Sequence, residues 1–424
     1  MRSREAPSRE RPALPKTYRA PTARACNGGV IATRRIPRPG TAALLFTCLF
    51  AVQAAFLTIA PILPELSKDF GVSTAAGGQL RSVSGLAGLA AALVAIAFRR
   101  TIGVRRLLTW GLAALTTGAL LSSAAPSFAA LAAAQVPVGF GLAFVLAGGL
   151  AAAAEWTAPE HRPRVLAWTL LGQPGAWVAG MPIFGLVADV DWRLAFAVPF
   201  TAAATALIAV RRRARGHERE VGGAEVGSGT SIWRRPDVVG WAVGELMAFT
   251  AWSGVLVYIG ALMIESYELS TRTTGLLLAA AAAAYFPASF ATQRFIAKHA
   301  RTVLITLGLT AATGAALLGT LRPGALFTTI LFALIVAAVG GRTLSASAFG
   351  LQSAPDDRVA ISAVRAAMTQ LGYFSGAALG GAALAAGGYS ALTHVLAGAF
   401  VLAVVPHIAL VIAAAKRRPA PVPA

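Results

Sequence analysis

Charge is scarce in this 424-residue chain: 13% of residues are Asp, Glu, Lys or Arg, and only 17 are acidic. No water-soluble domain of this length could cover its surface with so little, which excludes an ordinary soluble enzyme. Cysteine is nearly absent. Cys26 and Cys48 cannot build a disulfide framework, and Cys48 lies inside an apolar run. The five histidines, His161, His217, His299, His394 and His407, form no metal-spaced cluster with acids, so no metal is expected. There is no Gly-rich phosphate loop closed by Lys and Ser/Thr, which removes ATP as the driving ligand. Nor is there a properly flanked serine nucleophile elbow. The chain is not read as an enzyme, and no cofactor is expected.

Apolar residues make up 56% of the sequence, about 237 residues, and the mean hydropathy is +0.67. A spanning helix takes roughly 20 apolar residues, so twelve need about 240. The apolar segments fall at 41–63, 75–97, 106–124, 127–153, 165–188, 194–210, 238–263, 273–293, 302–320, 324–350, 362–386 and 390–414. The longest interruption, 211–237, opens on Arg211, Arg212 and Arg213 and divides the chain into a half at 41–210 and a half at 238–415. Tails at 1–40 and 416–424 complete the expected organisation. The first tail is basic, Pro-containing and aperiodic, and reads as disordered. It also mimics an organelle transit peptide or, with residues 41–60, a secretory signal. Against both stands the full span length of the first apolar run.

The formal net charge of +20 does not imply nucleic acid, because the basic residues lie in short loops between apolar runs. With the N-terminus inside, 31 Lys/Arg fall on the inner side, Arg365 among them. Five fall outside: Lys68, Arg81, Arg193, Arg272 and Arg322. That asymmetry places both termini in the cytoplasm of a multi-pass protein of the cell inner (plasma) membrane.

An internal repeat links segment n to segment n+6. Segment one ends in Phe70-Gly71-Val72-Ser73 with Gly78 five residues after the serine, and segment seven ends in Tyr267-Glu268-Leu269-Ser270 with Gly275 at the same spacing. Arg164, Gly175 and Gly180 around segment five match Arg365, Gly376 and Gly381 around segment eleven. Such pairs point to two homologous six-helix halves. The plainer alternative is that these residue types are common near helix ends.

Twelve segments split by a basic loop resemble the major facilitator superfamily. Ala60-Pro61-Ile62-Leu63-Pro64-Glu65 through Ser73 is similar to that family's first outer loop, and Asp191-Trp192-Arg193-Leu194-Ala195-Phe196 to the start of its sixth helix. The resemblance covers 41–415 and implies an all-α membrane protein of two pseudosymmetric six-helix bundles. The loop after segment two keeps Gly103, Arg105 and Arg106 of the family pattern, but Arg100 stands where an aspartate is usual. In segment four, Gln135 takes the place of an arginine four residues before Gly139. A charge relay built on those positions is therefore not expected here. Segment five carries Gly172-Gln173-Pro174-Gly175, then Gly180, Pro182 and Gly185, a loosened likeness of the antiporter motif of the drug/proton efflux branch. Glycines let backbones approach and proline frees a carbonyl, which fits a hinge or a leak-tight seam, though ordinary small-residue packing fits too.

A charge in the hydrocarbon costs about 2.5–3.5 kcal/mol on insertion scales and marks a functional candidate. Glu245 in segment seven and Arg342 in segment ten lie at nearly the same depth, roughly 10 Å from the inner side at 1.5 Å per residue. The resemblance implies that segments one, four, seven and ten line a central cavity. The two are expected to meet there, either as a proton-exchanging group with its partner or as a static pair at the inner gate; a third reading has Glu245 snorkel to the cytoplasm. Trp241, Phe249 and Trp252 share a helical face with Glu245 and read as an aromatic substrate platform or as helix packing. Gln53, Gln135 and Gln173 read equally as substrate contacts or helix–helix bonds. Arg81 reads as a side chain snorkelling to the outer interface.

The expected function is secondary active transport of a small organic solute by alternating access, leaning to proton-coupled efflux. The alternative is proton-coupled uptake of a nutrient or organic anion held by Arg342. A polytopic membrane enzyme or a non-transporting receptor stands outside the transporter class. The expected partners are the solute, protons and the lipid bilayer; the protein is expected to be a monomer without nucleic acid.

Overall fold

The computed structural model describes residues 40–98, 102–213, 232–354 and 358–416. The N-terminal tail up to residue 39, Arg99 and Arg100, residues 214–231 of the central loop and the C-terminal tail from residue 417 lie outside the described residues.

Among the described residues the regular elements are helices. The first segment is α1 (Thr41–Leu57) followed by α2 (Ile59–Asp69). They meet where Pro61 and Pro64 withhold the N–H groups that the carbonyls of Leu57 and Ala60 would accept. Next come α3 (Thr74–Gly78), α4 (Leu80–Ala97), α5 (Val104–Ser123) and α6 (Phe128–Glu155). Segment five breaks into α7 (Arg162–Leu170), α8 (Gly172–Gly175) and α9 (Met181–Ala188), with a π-helical turn at Ala176–Gly180. Pro174 and Pro182 flank that turn, as expected where proline removes ladder donors. A 3₁₀ turn at Trp192–Phe196 leads into α10 (Ala197–Arg212).

The second half holds α11 (Pro236–Tyr267), α12 (Thr271–Ala282), α13 (Tyr285–Thr320), α14 (Ala325–Ser353) and α15 (Arg358–Lys416). Two of these are longer than the expected segments. α13 runs from the eighth into the ninth, with a non-helical residue at His299, and α15 joins the eleventh to the twelfth across a break at Gly387 and Gly388. Gly388 sits at φ +64°, a backbone state that a side chain would strain. Ten helices are long and apolar enough to cross a membrane, one of them Ile361–Ile412, which contains that break. α5, which opens on Arg105 and Arg106 beside Val104, is not among the ten.

The repeat is visible in the backbone. Gly71 and Glu268 both take left-handed conformations, at φ +64° and +53°. Three residues before α3 and α12 properly begin, the chain turns identically, and Ser73 and Ser270 then cap the two helices. Each serine side chain accepts from a backbone N–H three residues on, Ala76 at 3.2 Å and Thr273 at 3.1 Å.

Hydrogen bonds between the two halves cluster at the end where these turns lie. Thr74 donates to the Glu265 carboxylate, and its repeat counterpart Thr271 donates to that of Glu65. Glu265 also accepts from Tyr389 at 2.8 Å. Gln79 Nε2 donates to the carbonyl of Ala377 at 3.1 Å, and Ser82 Oγ to that of Phe374 at 3.3 Å. Asp69, closing α2, accepts from Arg193 Nη1 at 2.8 Å and from Trp192 Nε1 at 3.2 Å, which fixes the start of the sixth segment against the first.

Candidate functional site

Glu245 lies nine residues into α11 and Arg342 eleven residues before the end of α14, about two and a half and three turns inside apolar helices. Arg342 Nη1 donates to Glu245 Oε1 at 2.8 Å, and Nη2 donates to the carbonyl of Gly244 at 2.9 Å. The two side chains are 1% and 4% exposed. No water competes at such burial, so the charge-assisted bonds are strong, and the cost of desolvating either ion alone is high.

A third member was missed by sequence. Arg365 Nε donates to Glu245 Oε2 at 3.0 Å, Nη1 to Ser347 and Nη2 to the carbonyl of Thr343 at 3.2 Å. The side chain is 25% exposed. The sequence reading counted it among inner-loop charges. In the structure α15 starts at Arg358, so Arg365 sits two turns within the helix. Its repeat counterpart Arg164 is exposed, so the matched spacing did not carry a matched role.

Beside the triad lies a small pocket lined by Ala248, Phe249, Trp252, Val339, Arg342, Thr343 and Phe400. Phe249 and Trp252 therefore meet Arg342 as a cavity wall. Trp252 also lies 5.5 Å from Trp177, which belongs to the π-helical turn of the first half, and stacks on Phe332 at 6.3 Å. Trp177 in turn meets Tyr285 edge-on at 5.1 Å, and its indole N–H is buried without an acceptor. An aromatic cluster thus crosses from one half to the other at the pocket.

Of the alternatives left open for the remaining candidates, the structure shows packing and helix–helix bonds for two. Trp241 is buried away from this pocket, donating to the carbonyl of Ala346 at 2.9 Å and packing in a cluster with Leu304 and Phe349. Eleven residues make three turns plus about 20°, so Trp241 and Trp252 share a face; Trp241 misses the pocket because it lies roughly 16 Å farther along the helix axis at 1.5 Å per residue. Gln135 donates to Ser122 Oγ at 3.0 Å, which ties α6 to its neighbour α5 rather than reaching the pocket. Gln53 is buried in α1, and Gln173 is half-buried in α8.

Arg81 does not snorkel. It is 1% exposed, donates through Nη2 to the carbonyl of Ala55 and through Nη1 to Ser84 Oγ at 3.4 Å, and its guanidinium lies 5.1 Å from the Phe56 ring centre. Seven residues into the apolar span that opens at Thr74, its stem is too deep, and Phe56 and Ala55 offer a nearer partner than the interface.

In segment five the glycines mark close approaches. A side chain at Gly172 would meet the backbone of Phe46 and Phe50 in α1, and one at Gly185 would meet the backbone of Thr271 and Arg272 across the seam between halves. Gly175 and Gly180 face softer neighbours, the rings of Phe46 and Phe184. At the loop after segment two, Gly103 precedes α5 in an extended conformation, Arg105 donates to the carbonyl of Arg211 at 2.9 Å, and Arg106 is exposed.

Comparison with known proteins agrees with this architecture. The Major Facilitator Superfamily profile matches residues 45–321. An uncharacterized MFS-type transporter, YceJ of Bacillus subtilis (strain 168), is 27% identical over 155 residues, which is 37% of this chain and 40% of that relative. The chain thus matches less than half of that relative's length. Among solved structures, the nucleoside transporter NupG superposes with a TM-score of 0.72 at 12% identity, covering 87% of this chain and 98% of that one. A D-xylose-proton symporter does so with a TM-score of 0.71 at 14% identity, covering 86% and 96%. At these identities the likeness is one of fold.

Proposed function

Because this chain belongs to the Major Facilitator Superfamily, a family of transporters rather than enzymes, we propose that it is a secondary active carrier of a small organic solute. In this reading twelve crossing helices form two six-helix halves, 41–210 and 238–415, which rock about the pocket at Phe249, Trp252 and Arg342. Both termini face the cytoplasm of the cell membrane, which makes the closed end at Thr74, Glu265, Thr271 and Glu65 the external gate.

The observation that carries the reading is the Glu245 carboxylate, buried about two and a half turns deep and held by Arg342 at 2.8 Å beside the pocket. Glu245 exchanges the coupling proton. Rocking of the halves alters its hydration and its distance from Arg342 and Arg365, so that it takes a proton when the guanidiniums withdraw and releases it when they return. Transport is efflux in exchange for protons, a direction favoured by segment five, where Gly172 and Gly185 seal helix against helix. Uptake of an organic anion is the second reading, favoured by the two guanidiniums that share one carboxylate.

Side-resolved flux in proteoliposomes carrying a pH-sensitive dye tests the proposal. A solute gradient should drive proton movement in the wild type and not in Glu245→Gln. Proton flux unchanged in that variant removes the coupling role.

A further inference from the structure

We infer that Arg81 seats the negatively charged group of the transported solute, which makes the solute a small organic anion with a flat apolar body. The inference rests on the carrier reading above and names its substrate class.

Arg81 is among the most deeply buried charged side chains of the protein, at 1% exposure, and among the described residues no carboxylate forms an ion pair with it. Its protein partners are neutral: the carbonyl of Ala55 and the hydroxyl of Ser84. Nε is buried with no acceptor at all. A guanidinium taken out of water without a counter-charge is expensive, and proteins keep such a group where a ligand supplies the missing charge. The charge inventory points the same way. Arg81, Arg342 and Glu245 are buried, and half-buried Arg365 shares the same glutamate, so positive charge exceeds negative at membrane depth.

Arg81 projects from α4 at the seam between halves, where Ser82 bonds the carbonyl of Phe374 in α15. The Phe56 ring under its guanidinium lies 4.4 Å from the Tyr373 ring, and Tyr373 lies 6.2 Å from Phe249 of the pocket. The aromatic run Phe56, Tyr373, Phe249 therefore bridges Arg81 and the triad. On the same seam Gln370 Nε2, buried beside Gly88, is a second donor with no acceptor. Gly88 is seven residues along α4 from Arg81, about 10 Å at 1.5 Å per residue. Two unsatisfied donors at that spacing suit a carboxylate at one end and a carbonyl or hydroxyl oxygen at the other. A carboxylate matches the guanidinium fork through two parallel bonds; a cation would add to the positive surplus.

Three probes of one shape test this on the purified full chain: benzoate, benzamide and benzamidine, which are anionic, neutral and cationic. Labelled benzoate should bind the wild type and raise its unfolding temperature, with benzamide competing weakly and benzamidine not at all. Arg81→Gln should lose roughly tenfold or more of the benzoate affinity, the factor expected for a hydrogen bond to a charged group, and Arg81→Lys should retain part of it. Without probe, Arg81→Gln should unfold at the wild-type temperature or above, because an uncompensated charge is gone. A purely structural arginine would give a lower temperature and an undiminished benzoate shift, and that result overturns the inference. So does a wild type that binds no benzoate or prefers benzamidine. The two readings fail separately. Preference for benzamidine with intact proton-coupled flux removes the anion seat and leaves the carrier, whereas benzoate bound at Arg81 but never translocated removes the carrier and leaves the seat.

Discussion

Arg342 grips two consecutive residues of α11 at once, the Glu245 carboxylate at 2.8 Å and the Gly244 carbonyl at 2.9 Å. The guanidinium fork therefore reads both the charge and the backbone of the facing helix. Any change in the angle between α11 and α14 must stretch one bond before the other. A buried ion pair held in this way couples helix movement to electrostatics.

Removing one member should cost far more than removing both. Glu245→Ala leaves two guanidiniums without their carboxylate and should destabilise the protein by about 3–5 kcal/mol, the cost of breaking a buried pair. Glu245→Gln, whose amide oxygen still accepts, should lose less. Combining Glu245→Ala with Arg342→Met should recover part of the loss. Thermal unfolding of the three variants measures the coupling, and strict additivity would mean that the pair is not an energetic unit.

The reciprocal threonine–glutamate bonds should act as a latch. Thr271→Val and Thr74→Val each remove one hydrogen bond to a carboxylate, worth about 1.5–3 kcal/mol, so the double variant should raise the population open at this end by tenfold or more. Spin labels at Val72 and Leu269 would read the longer distance. An unchanged distance distribution would show that the seam closes without these bonds.

Equivalent capping serines should behave equivalently. Ser73→Ala and Ser270→Ala should each cost about 1 kcal/mol, the usual value of an N-cap, while Ser→Gly at either position costs a few tenths. Unequal costs would mean that the shared backbone geometry at Gly71 and Glu268 does not extend to shared energetics.

Tight approaches in segment five should tolerate no side chain. Gly172→Ala and Gly185→Ala push on backbone atoms and should cost about 1–3 kcal/mol, as overpacking does. Gly180→Ala, which meets only the Phe184 ring, should cost less. Unfolding temperatures in detergent would rank the three.

What the sequence made legible follows from rarity. A charge inside an apolar run is conspicuous, so Glu245 and Arg342 stand out, and the matching turns at Ser73 and Ser270 stand out because each serine follows an aromatic by three residues and precedes a glycine by five. The helical segments were legible as apolar runs, and the gaps left between segments eight and nine and between eleven and twelve contain the kinks at His299 and Gly387–Gly388. Arg365 was hidden because it was counted with the inner-side charges although it lies within segment eleven, 362–386, just past its start. Arg81 was misread because depth along the chain says nothing about which neighbours surround a side chain. Thr74, Thr271, Glu65 and Glu265 look like solvated residues at span ends, and their pairing depends on how the two halves meet. That relation lies between segments roughly two hundred positions apart, and no local pattern encodes it.

The most direct test needs no knowledge of the solute. With spin labels at Val72 and Leu269, the distance across the gate is measured over a series from acid to alkaline pH in the wild type and in Glu245→Gln. If Glu245 exchanges the coupling proton, the wild-type populations shift with pH and those of the variant stay fixed. A variant that follows pH as the wild type does would contradict the account.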